Sequence, residues 1–283
     1  MFDFDTWQEI FSTLRRNKLR TFLTAAGVFW GVFMLLVMLA FGHSWQSGVT
    51  ERMSGSTRNA VFVWGQSTSL PFKGMQPGRP VIFDNSDVAA LREGVPGIAY
   101  LAPRNQAGGF MGGFNVKRAG KTGNFGVMGD VPDIRHALTI VQKRGRFLDD
   151  LDIAERRKVA VIGDRVEEMM FSPGEDPVGQ YLSVRGVYFE VVGVVRSRDQ
   201  GFQGERQANT VHIPLSTFQQ AFNAGDRVGW FTMTVDPGSD TLGVEQDVKR
   251  LLAARHQVDP ADGQAMGSFN AGEMFGKMQK VFG

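Results

Sequence analysis

The sequence predicts an α+β protein in which one N-terminal transmembrane helix is followed by a large extracytoplasmic domain. Three observations support this prediction. Residues 21–42 form an uncharged apolar run, four basic residues stand directly before that run, and the remainder alternates strand patterns with helix patterns. Such alternation is typical of a sheet covered by helices.

The transmembrane prediction rests on length and on the absence of charge. A helix over residues 21–42 would be roughly 33 Å long, close to the ~30 Å hydrocarbon thickness of a bilayer. A buried core helix is seldom uncharged on every face, and a cleaved signal peptide has a shorter apolar region of about 7 to 15 residues. Within the run, Gly27 and Gly31 have the small-xxx-small spacing that lets membrane helices approach closely. We therefore interpret residues 21–42 as a span with a possible helix-packing face.

Charge on the two flanks predicts the orientation of this span. Basic residues precede it, whereas residues 43–51 contain no Lys or Arg; the basic set is Arg15, Arg16, Lys18 and Arg20. Cytoplasmic flanks retain such residues, so the N-terminus is expected in the cytoplasm and the rest outside the inner (plasma) membrane.

Residues 1–20 combine this basic flank with an amphipathic helix pattern. Apolar residues recur along one face of that helix, namely Phe4, Trp7, Ile10, Phe11 and Leu14. Such a helix can lie in the lipid interface or can pack on another protein, and both readings remain open.

Composition narrows the classes of function. The 283 residues include 31 basic and 29 acidic side chains, a net charge of +2, whereas nucleic-acid binding normally needs a concentrated basic surface. We expect no nucleic-acid partner. The absence of cysteine excludes disulfides, thiolate metal sites and a cysteine nucleophile, and is compatible with an oxidising compartment.

Beyond the span, residues 43–58 are predicted to continue as a stalk helix, and residues 59–268 to form the folded domain. Its predicted elements include a strand at 60–65, a helix at 84–93 with Ser86 as N-cap, glycine-rich strands within 98–130, and a hairpin about Arg185 and Gly186. A helix is predicted at 240–256. Residues 269–283 are expected to form a helix that descends toward a second span.

No catalytic, cofactor or metal residues are predicted. The Gly-Lys-Thr sequence at 120–122 lacks the glycine that a phosphate-binding loop needs at position 115, and is interpreted as a hairpin turn. The acidic run at 149–152 is interpreted as a solvated loop that caps a helix. The four histidines have no metal-ligand spacing and are interpreted as surface or capping residues: His43, His136, His212 and His256.

The segment TLRRNKLRTFLTAAGVFWGV resembles the opening of MacB-like and FtsX-like ABC transporter permeases. The segments GVMGDVPD, GRFLDDLD, KVAVIGDRVEEMMF, PVGQYLSVRGVYFEVVGVV and VHIPLSTFQQAF resemble the periplasmic core domain of those permeases, in the same order. The resemblance implies a two-lobed domain, with a porter-like α/β lobe and a mostly β sabre-like lobe at about 106–206. Those permeases continue into three further membrane helices that this sequence does not contain.

The resemblance also implies a function and its partners. We expect a non-catalytic permease subunit that couples cytoplasmic ATP hydrolysis to movement of its periplasmic domain, for export or extraction of a drug, peptide or lipoprotein. ATP and Mg would be held by a partner ABC ATPase. Further expected partners are a second permease copy or homologue and a periplasmic adaptor. The alternative is a stand-alone, signal-anchored binding domain without transport activity.

Overall fold

The computed structural model describes residues 19, 22–23, 26–38, 59–108, 113–198 and 202–274. The chain divides into two compact units, Met1–Met53 and Ser54–Gly283. In the first unit, helix α1 (residues 26–38) exposes almost all of its side chains, including Trp30 and Leu36. Within the described residues, no helix is both long and apolar enough to span a bilayer. The predicted span at 21–42 therefore stays a prediction.

In the second unit, one lobe contains an open antiparallel sheet in the order β13-β1-β12-β3. Its strands are β1 (Ala60–Gly65), β3 (Ile98–Ala107), β12 (Trp230–Val235) and β13 (Met266–Asn270). Two helices lie on one face, α2 (Asn85–Gly94) and α7 (Thr241–Arg255). Alternate strand residues and the inward helix residues form one buried core, which includes Val61, Val63, Phe231, Met233, Leu91, Val248 and Leu252. We call this the open-sheet lobe.

The other lobe contains a sheet that closes on itself. Its hydrogen-bonded order is β10-β7-β9-β8-β4-β5, and a parallel pairing of β5 with β10 completes the ring. The strands are β4 (Phe114–Arg118), β5 (Lys121–Asp130), β7 (Val159–Gly163), β8 (Tyr181–Val184), β9 (Val187–Ser197) and β10 (Thr210–Pro214). Because side chains alternate along a strand, every second residue enters the core, as do Val116, Val127, Leu182 and Phe189. We call this the closed-sheet lobe.

Shorter elements complete the second unit. A 3₁₀ helix (Pro132–His136) and β6 (Ile140–Gly145) follow β5, and β2 (Phe83–Asp84) pairs with β11 (Arg227–Val228). The remaining helices are α3 (Asp150–Ala154), α4 (Asp164–Met170), α5 (Phe202–Ala208) and α6 (Leu215–Ala221). The mixed α+β fold predicted for this domain is thereby confirmed.

Two turn predictions made from the sequence are confirmed, and the prediction of one helix N-cap is wrong. The turn between β4 and β5 contains Ala119 and Gly120 at positive φ, so the Gly-Lys-Thr sequence begins in a hairpin turn, and its Lys121 and Thr122 start β5. Arg185 and Gly186 have positive φ in the turn between β8 and β9. Helix α2, however, is capped by Asp84 and not by Ser86. The Asp84 carboxylate accepts the backbone N–H of Asp87, whose own side chain accepts the N–H of Asp84.

Candidate functional site

The two chain segments that flank the open-sheet lobe, one before β1 and one after β13, leave it at the same end. Strands β1 and β13 are antiparallel neighbours, with Val61 opposite Asn270 and Gly65 opposite Met266. The chain enters β1 at Ala60, and it leaves β13 after Asn270 to begin a helical turn at residues 271–274. The entry and the exit therefore lie side by side, at what we call the connection end.

Hydrogen bonds fix the exit to helix α7. The Asn270 side-chain amide donates to the Thr241 carbonyl (3.1 Å) and to the buried Glu245 carboxylate (3.0 Å), and the Asn270 side-chain oxygen accepts the N–H of Glu273 (3.1 Å). Glu245 also accepts from the Ser268 hydroxyl (2.5 Å) and pairs with Lys249 (3.0 Å). Burial raises the pKa of Glu245, but these bonds together lower it below its usual value. The helical turn at residues 271–274 is thus anchored to the helix layer of this lobe.

The entry is fixed to the sheet. The backbone N–H of Val235 donates to the Asn59 carbonyl (3.0 Å), which extends the pairing of β1 with β12 by one residue. The Asn59 side-chain amide lies 3.4 Å from the Val235 carbonyl. Displacement of the chain at residue 59 must therefore displace β12 as well as β1.

A buried ion cluster joins the two lobes. Strand β3 pairs with β12 through its first part and with β5 through Asn105–Ala107, so it belongs to both sheets. At the changeover, Arg104 donates two hydrogen bonds to the Asp130 carboxylate (2.5 and 3.1 Å), and the His212 Nδ1 atom lies 2.6 Å from the same carboxylate. Burial raises the pKa of Asp130, but the charge of Arg104 and the hydrogen bond from His212 together lower it to about 2. Asp130 is therefore a buried carboxylate ion.

Opposite the connection end, residues 66–80 form a hairpin that follows β1. Ser67 bridges Pro80, and Phe72 bridges Met75 around a turn. The Asp262 carboxylate accepts the backbone N–H groups of Ser69 (2.6 Å) and Leu70 (3.0 Å), together with the Ser69 hydroxyl (2.7 Å). Burial raises the pKa of Asp262, but these bonds lower it to about 2. We call residues 66–80 the tip hairpin.

Most residues singled out from the sequence lie outside the described residues. These are the orientation set Arg15, Arg16, Lys18 and Arg20, and the interfacial set Phe4, Trp7, Ile10, Phe11 and Leu14. Gly27 and Gly31 lie in α1, and a Cβ atom at either would meet no atom within 4 Å. The helix-packing role of this pair, like the two sets before it, stays a prediction.

The prediction that all four histidines are surface or capping residues is partly wrong. His136 stacks on Tyr100 at the surface, and His256 forms the C-cap of α7 while its Nε2 atom lies 2.8 Å from Asp87. His43 lies outside the described residues. His212, in contrast, is buried in the lobe junction. No sequence signal marks it, because its partner Asp130 lies 82 residues earlier in the chain, and Arg104, which donates to Asp130, lies 108 residues earlier.

The acidic run at 149–152 does cap a helix, as predicted. Asp149 is the N-cap of α3 and forms a reciprocal capping box with Asp152. The expectation of a solvated loop was wrong for Asp152, which is fully buried and pairs with Arg146 (2.5 Å). Among the described residues, no group of three His, Asp or Glu side chains is placed to hold a metal ion.

The mixed α+β fold of the second unit is shared with solved periplasmic and extracellular domains. The periplasmic region of MacB from Actinobacillus actinomycetemcomitans has a similar structure, with a TM-score of 0.63 and 18% identity over 82% of this chain and 98% of that one. At that level of identity the match shows a shared fold. Residues 21–251 match the model of the MacB-like periplasmic core domain, and the chain belongs to that family.

Two curated relatives are similar over most of this chain. It is 31% identical over 245 residues to the macrolide export ATP-binding/permease protein MacB of Rhodospirillum rubrum, which covers 86% of this chain and 36% of that protein. It is 27% identical to the pyoverdine export ATP-binding/permease protein PvdT of Pseudomonas putida, over 85% of this chain and 35% of the relative. The chain thus spans little more than a third of the length of these relatives.

Proposed function

We propose that this chain is the N-terminal portion of a permease subunit of a MacB-type ABC transporter. In this proposal, ATP and Mg are bound by a partner ATPase in the cytoplasm, and two permeases pair in the inner membrane. Their outer domains then move to export or extract a drug, a peptide or a lipoprotein, with a periplasmic adaptor as a further partner. The family membership and the export functions named for the two curated relatives support the proposal.

The observation that carries this proposal is the pairing of β1 with β13 at the connection end. Both chain segments that would run toward the membrane leave from neighbouring strands, so movement of either one acts on the same edge of the sheet. The anchors at Asn59 and Asn270 oppose local fraying at that edge. The tip hairpin lies at the opposite end and is the surface we assign to an adaptor.

The membrane anchor in this proposal is the segment at 21–42. The exposed apolar side chains of α1 support it, because such a surface is unfavourable in water and suited to lipid. A reporter fused near residue 10 should be active in the cytoplasm, and one fused after residue 55 only outside. Neutral residues in place of Arg15, Arg16, Lys18 and Arg20 should weaken that orientation. An outward N-terminus in the unmodified protein would contradict the proposal.

Coupling through the connection end can be tested in the complete permease with its ATPase in lipid. A flexible glycine-serine segment inserted near Gly48 should leave ATPase binding intact but uncouple ATP hydrolysis from transport, because a flexible linker does not transmit displacement. The matched control is the same insertion at the exposed turn of Ala119 and Gly120, which should preserve transport. Unchanged transport after the insertion near Gly48 would refute the mechanism.

The alternative is a stand-alone anchored binding domain that never transports. It differs from the proposal in the coding sequence that follows codon 283. The transporter proposal expects three further hydrophobic spans there and an ATPase gene beside them. A stop codon with neither feature nearby would favour the alternative.

A further inference from the structure

The main chain passes between the two lobes of the second unit at two places in the part of the chain that the structure describes. The first crossing is strand β3, whose pairing changes from β12 to β5 after Arg104. The second, which we call the return crossing, is residues 222–229, and it connects α6 of the closed-sheet lobe to β12 of the open-sheet lobe. Any change in the angle between the lobes must therefore move one crossing relative to the other.

The two crossings contact each other through hydrogen bonds. The backbone N–H of Gly229 donates to the Arg104 carbonyl (2.9 Å). The Arg227 carbonyl accepts the side-chain amide of Asn105 (2.7 Å). Because successive side chains of a strand point to opposite faces, Asn105 lies on the face of β3 opposite to the Arg104 guanidinium and its partner Asp130. Strand β3 is thus held on one face by the buried ion cluster and on the other face by the return crossing.

A side-chain amide from each lobe joins this contact. The Arg227 carbonyl also accepts the side-chain amide of Gln219 (3.0 Å), which lies on α6 of the closed-sheet lobe. Gln219 forms a reciprocal pair with Asn85, at the start of α2 in the open-sheet lobe: each side-chain amide donates to the side-chain oxygen of the other (2.9 and 3.2 Å). We call this set the amide clamp, and it consists of Asn85, Asn105, Gln219 and the Arg227 carbonyl.

Burial makes the amide clamp specific for one arrangement of the lobes. Gln219 and Asn105 are each 7% exposed. Both N–H groups of the Gln219 amide donate and its oxygen accepts. A buried amide that loses its partners keeps the full penalty of its desolvation. Displacement of one lobe against the other is therefore opposed until water can reach these groups.

The return crossing is itself tightly turned. Asn223 and Gly225 have positive φ. The N–H of Ala224 donates to the Gln219 carbonyl (2.9 Å), and the N–H of Arg227 donates to the Ala224 carbonyl (3.2 Å). A segment that is folded in this way cannot lengthen without breaking these bonds. Relative movement of the lobes is thus passed directly to the amide clamp.

We propose that the amide clamp is a latch that fixes the angle between the two lobes. When it is closed, it holds β3 from the face opposite to the ion cluster, and the lobes move as one body. When the Gln219 amide separates from Asn85 and from the Arg227 carbonyl, the return crossing is released and the ion cluster alone still joins the side chains of the lobes. The proposal concerns the second unit only and requires no transport, so it can fail while the proposed function stands, and the reverse.

The distance between two spin labels tests the latch, measured by double electron–electron resonance on the full chain in detergent micelles. The sequence contains no cysteine, so Arg165→Cys on α4 and Arg250→Cys on α7 supply the only two thiols, one in each lobe. Both side chains are exposed. With the amide clamp intact, the labels should give one narrow distance distribution.

Variants of the amide clamp should change this distribution. Gln219→Ala and Asn105→Ala should each broaden it or add a second distance, because each removes a bond between the crossings. Asn85→Ala should have a smaller effect in the same direction, since its side chain is exposed and water can replace its bonds. The matched control is Asn209→Ala, which removes an amide that donates to the Glu205 carbonyl within the closed-sheet lobe. It should leave the distribution unchanged.

Hydrogen exchange gives a second, local readout. The backbone N–H groups of Gly229 and Asn85 donate across the contact of the return crossing with β3 and α2. Gln219→Ala should accelerate their exchange by about tenfold, the factor expected when a local opening no longer has to break the clamp bonds. The N–H of Val235, which bonds within the open-sheet lobe, should exchange as before.

Three results would overturn the proposal. One is a distribution that stays narrow in both Gln219→Ala and Asn105→Ala, and another is a distribution that is already broad with the amide clamp intact. The third is equal acceleration of exchange at Val235, which would mean that the whole unit is destabilised. Circular dichroism melts identify a variant that fails to fold, and Asn85→Ala, at an exposed position, then decides by both readouts.

Discussion

Asp130→Asn tests the buried cluster that joins the two lobes. The substitution keeps the size of the side chain and removes its charge, so Arg104 loses its carboxylate partner in a site where Asp130 is fully buried and Arg104 is 6% exposed. The fall in the pKa of Asp130 from 3.8 to about 2 corresponds to a contribution of about 2 kcal/mol to the free energy of unfolding at pH 7, because lowering a pKa by one pH unit is equivalent to about 1.4 kcal/mol. Leaving a buried charge unpaired typically costs about 3 to 5 kcal/mol. The expected loss in the free energy of unfolding is therefore at least about 2 kcal/mol.

The sign of the pH dependence follows from the lowered pKa. Stability due to ionised Asp130 is complete above the pKa of the unfolded state, 3.8, and is lost as the pH falls toward the folded value of about 2. The unmodified chain should therefore lose stability between pH 4 and pH 2 in part through this group. That part of the loss should be absent in the Asn variant.

The assay is thermal unfolding of the full chain in detergent, followed by circular dichroism. At about 2 to 4 °C for each kcal/mol in a domain of this size, the midpoint should fall by at least about 4 °C. The control is Asp247→Asn, which removes an exposed pair with Arg250 and should change stability by less than about 1 kcal/mol. If both variants melt alike and have the same pH dependence, the cluster does not hold the lobes together.

Three further predictions concern the open-sheet lobe. Gly267→Ala should destabilise it by about 1 to 3 kcal/mol in a denaturant melt, because the added methyl group would overlap the indole of Trp64. Asp262→Asn should increase cleavage of the tip hairpin in limited proteolysis, since a carboxylate accepts its backbone N–H groups more strongly than an amide does. A fragment of residues 57–274 should unfold cooperatively on heating. Its midpoint temperature should be higher than that of a fragment of residues 57–268, because the shorter fragment ends inside β13.

Local patterns were enough to predict much of this fold. Strand β1 and helix α7 were predicted within one residue of their observed bounds, and the turn at Arg185 and Gly186 was placed correctly. In these segments the hydrophobic periodicity, the flanking turn residues and the segment length all indicate the same element with the same bounds. Strand β13 gives a weaker signal, since Met266–Asn270 is short and contains glycine, and it was not predicted.

The lobe junction could not be predicted in the same way. The ring closes only when β5 pairs in parallel with β10, about 80 residues later, and no local pattern specifies that pairing. Arg104, Asp130 and His212 each look like ordinary polar strand residues in the sequence. They become a cluster only when β3, β5 and β10 meet. Their burial follows from tertiary structure, which alternation within one strand does not reveal.

Strand β3 explains how movement at the connection end could reach the closed-sheet lobe. Its pairing with β12 places its first part in the sheet that receives both chain connections, and its last residues pair with β5 in the ring. A rotation between the lobes would have to bend β3 at Arg104, which would separate this guanidinium from Asp130. Since an unpaired ion in that buried site is costly, rotation of both lobes together is favoured over bending between them. Under the proposed function, loss of the Arg104–Asp130 pair should therefore weaken transport by the complete permease even in a chain that remains folded.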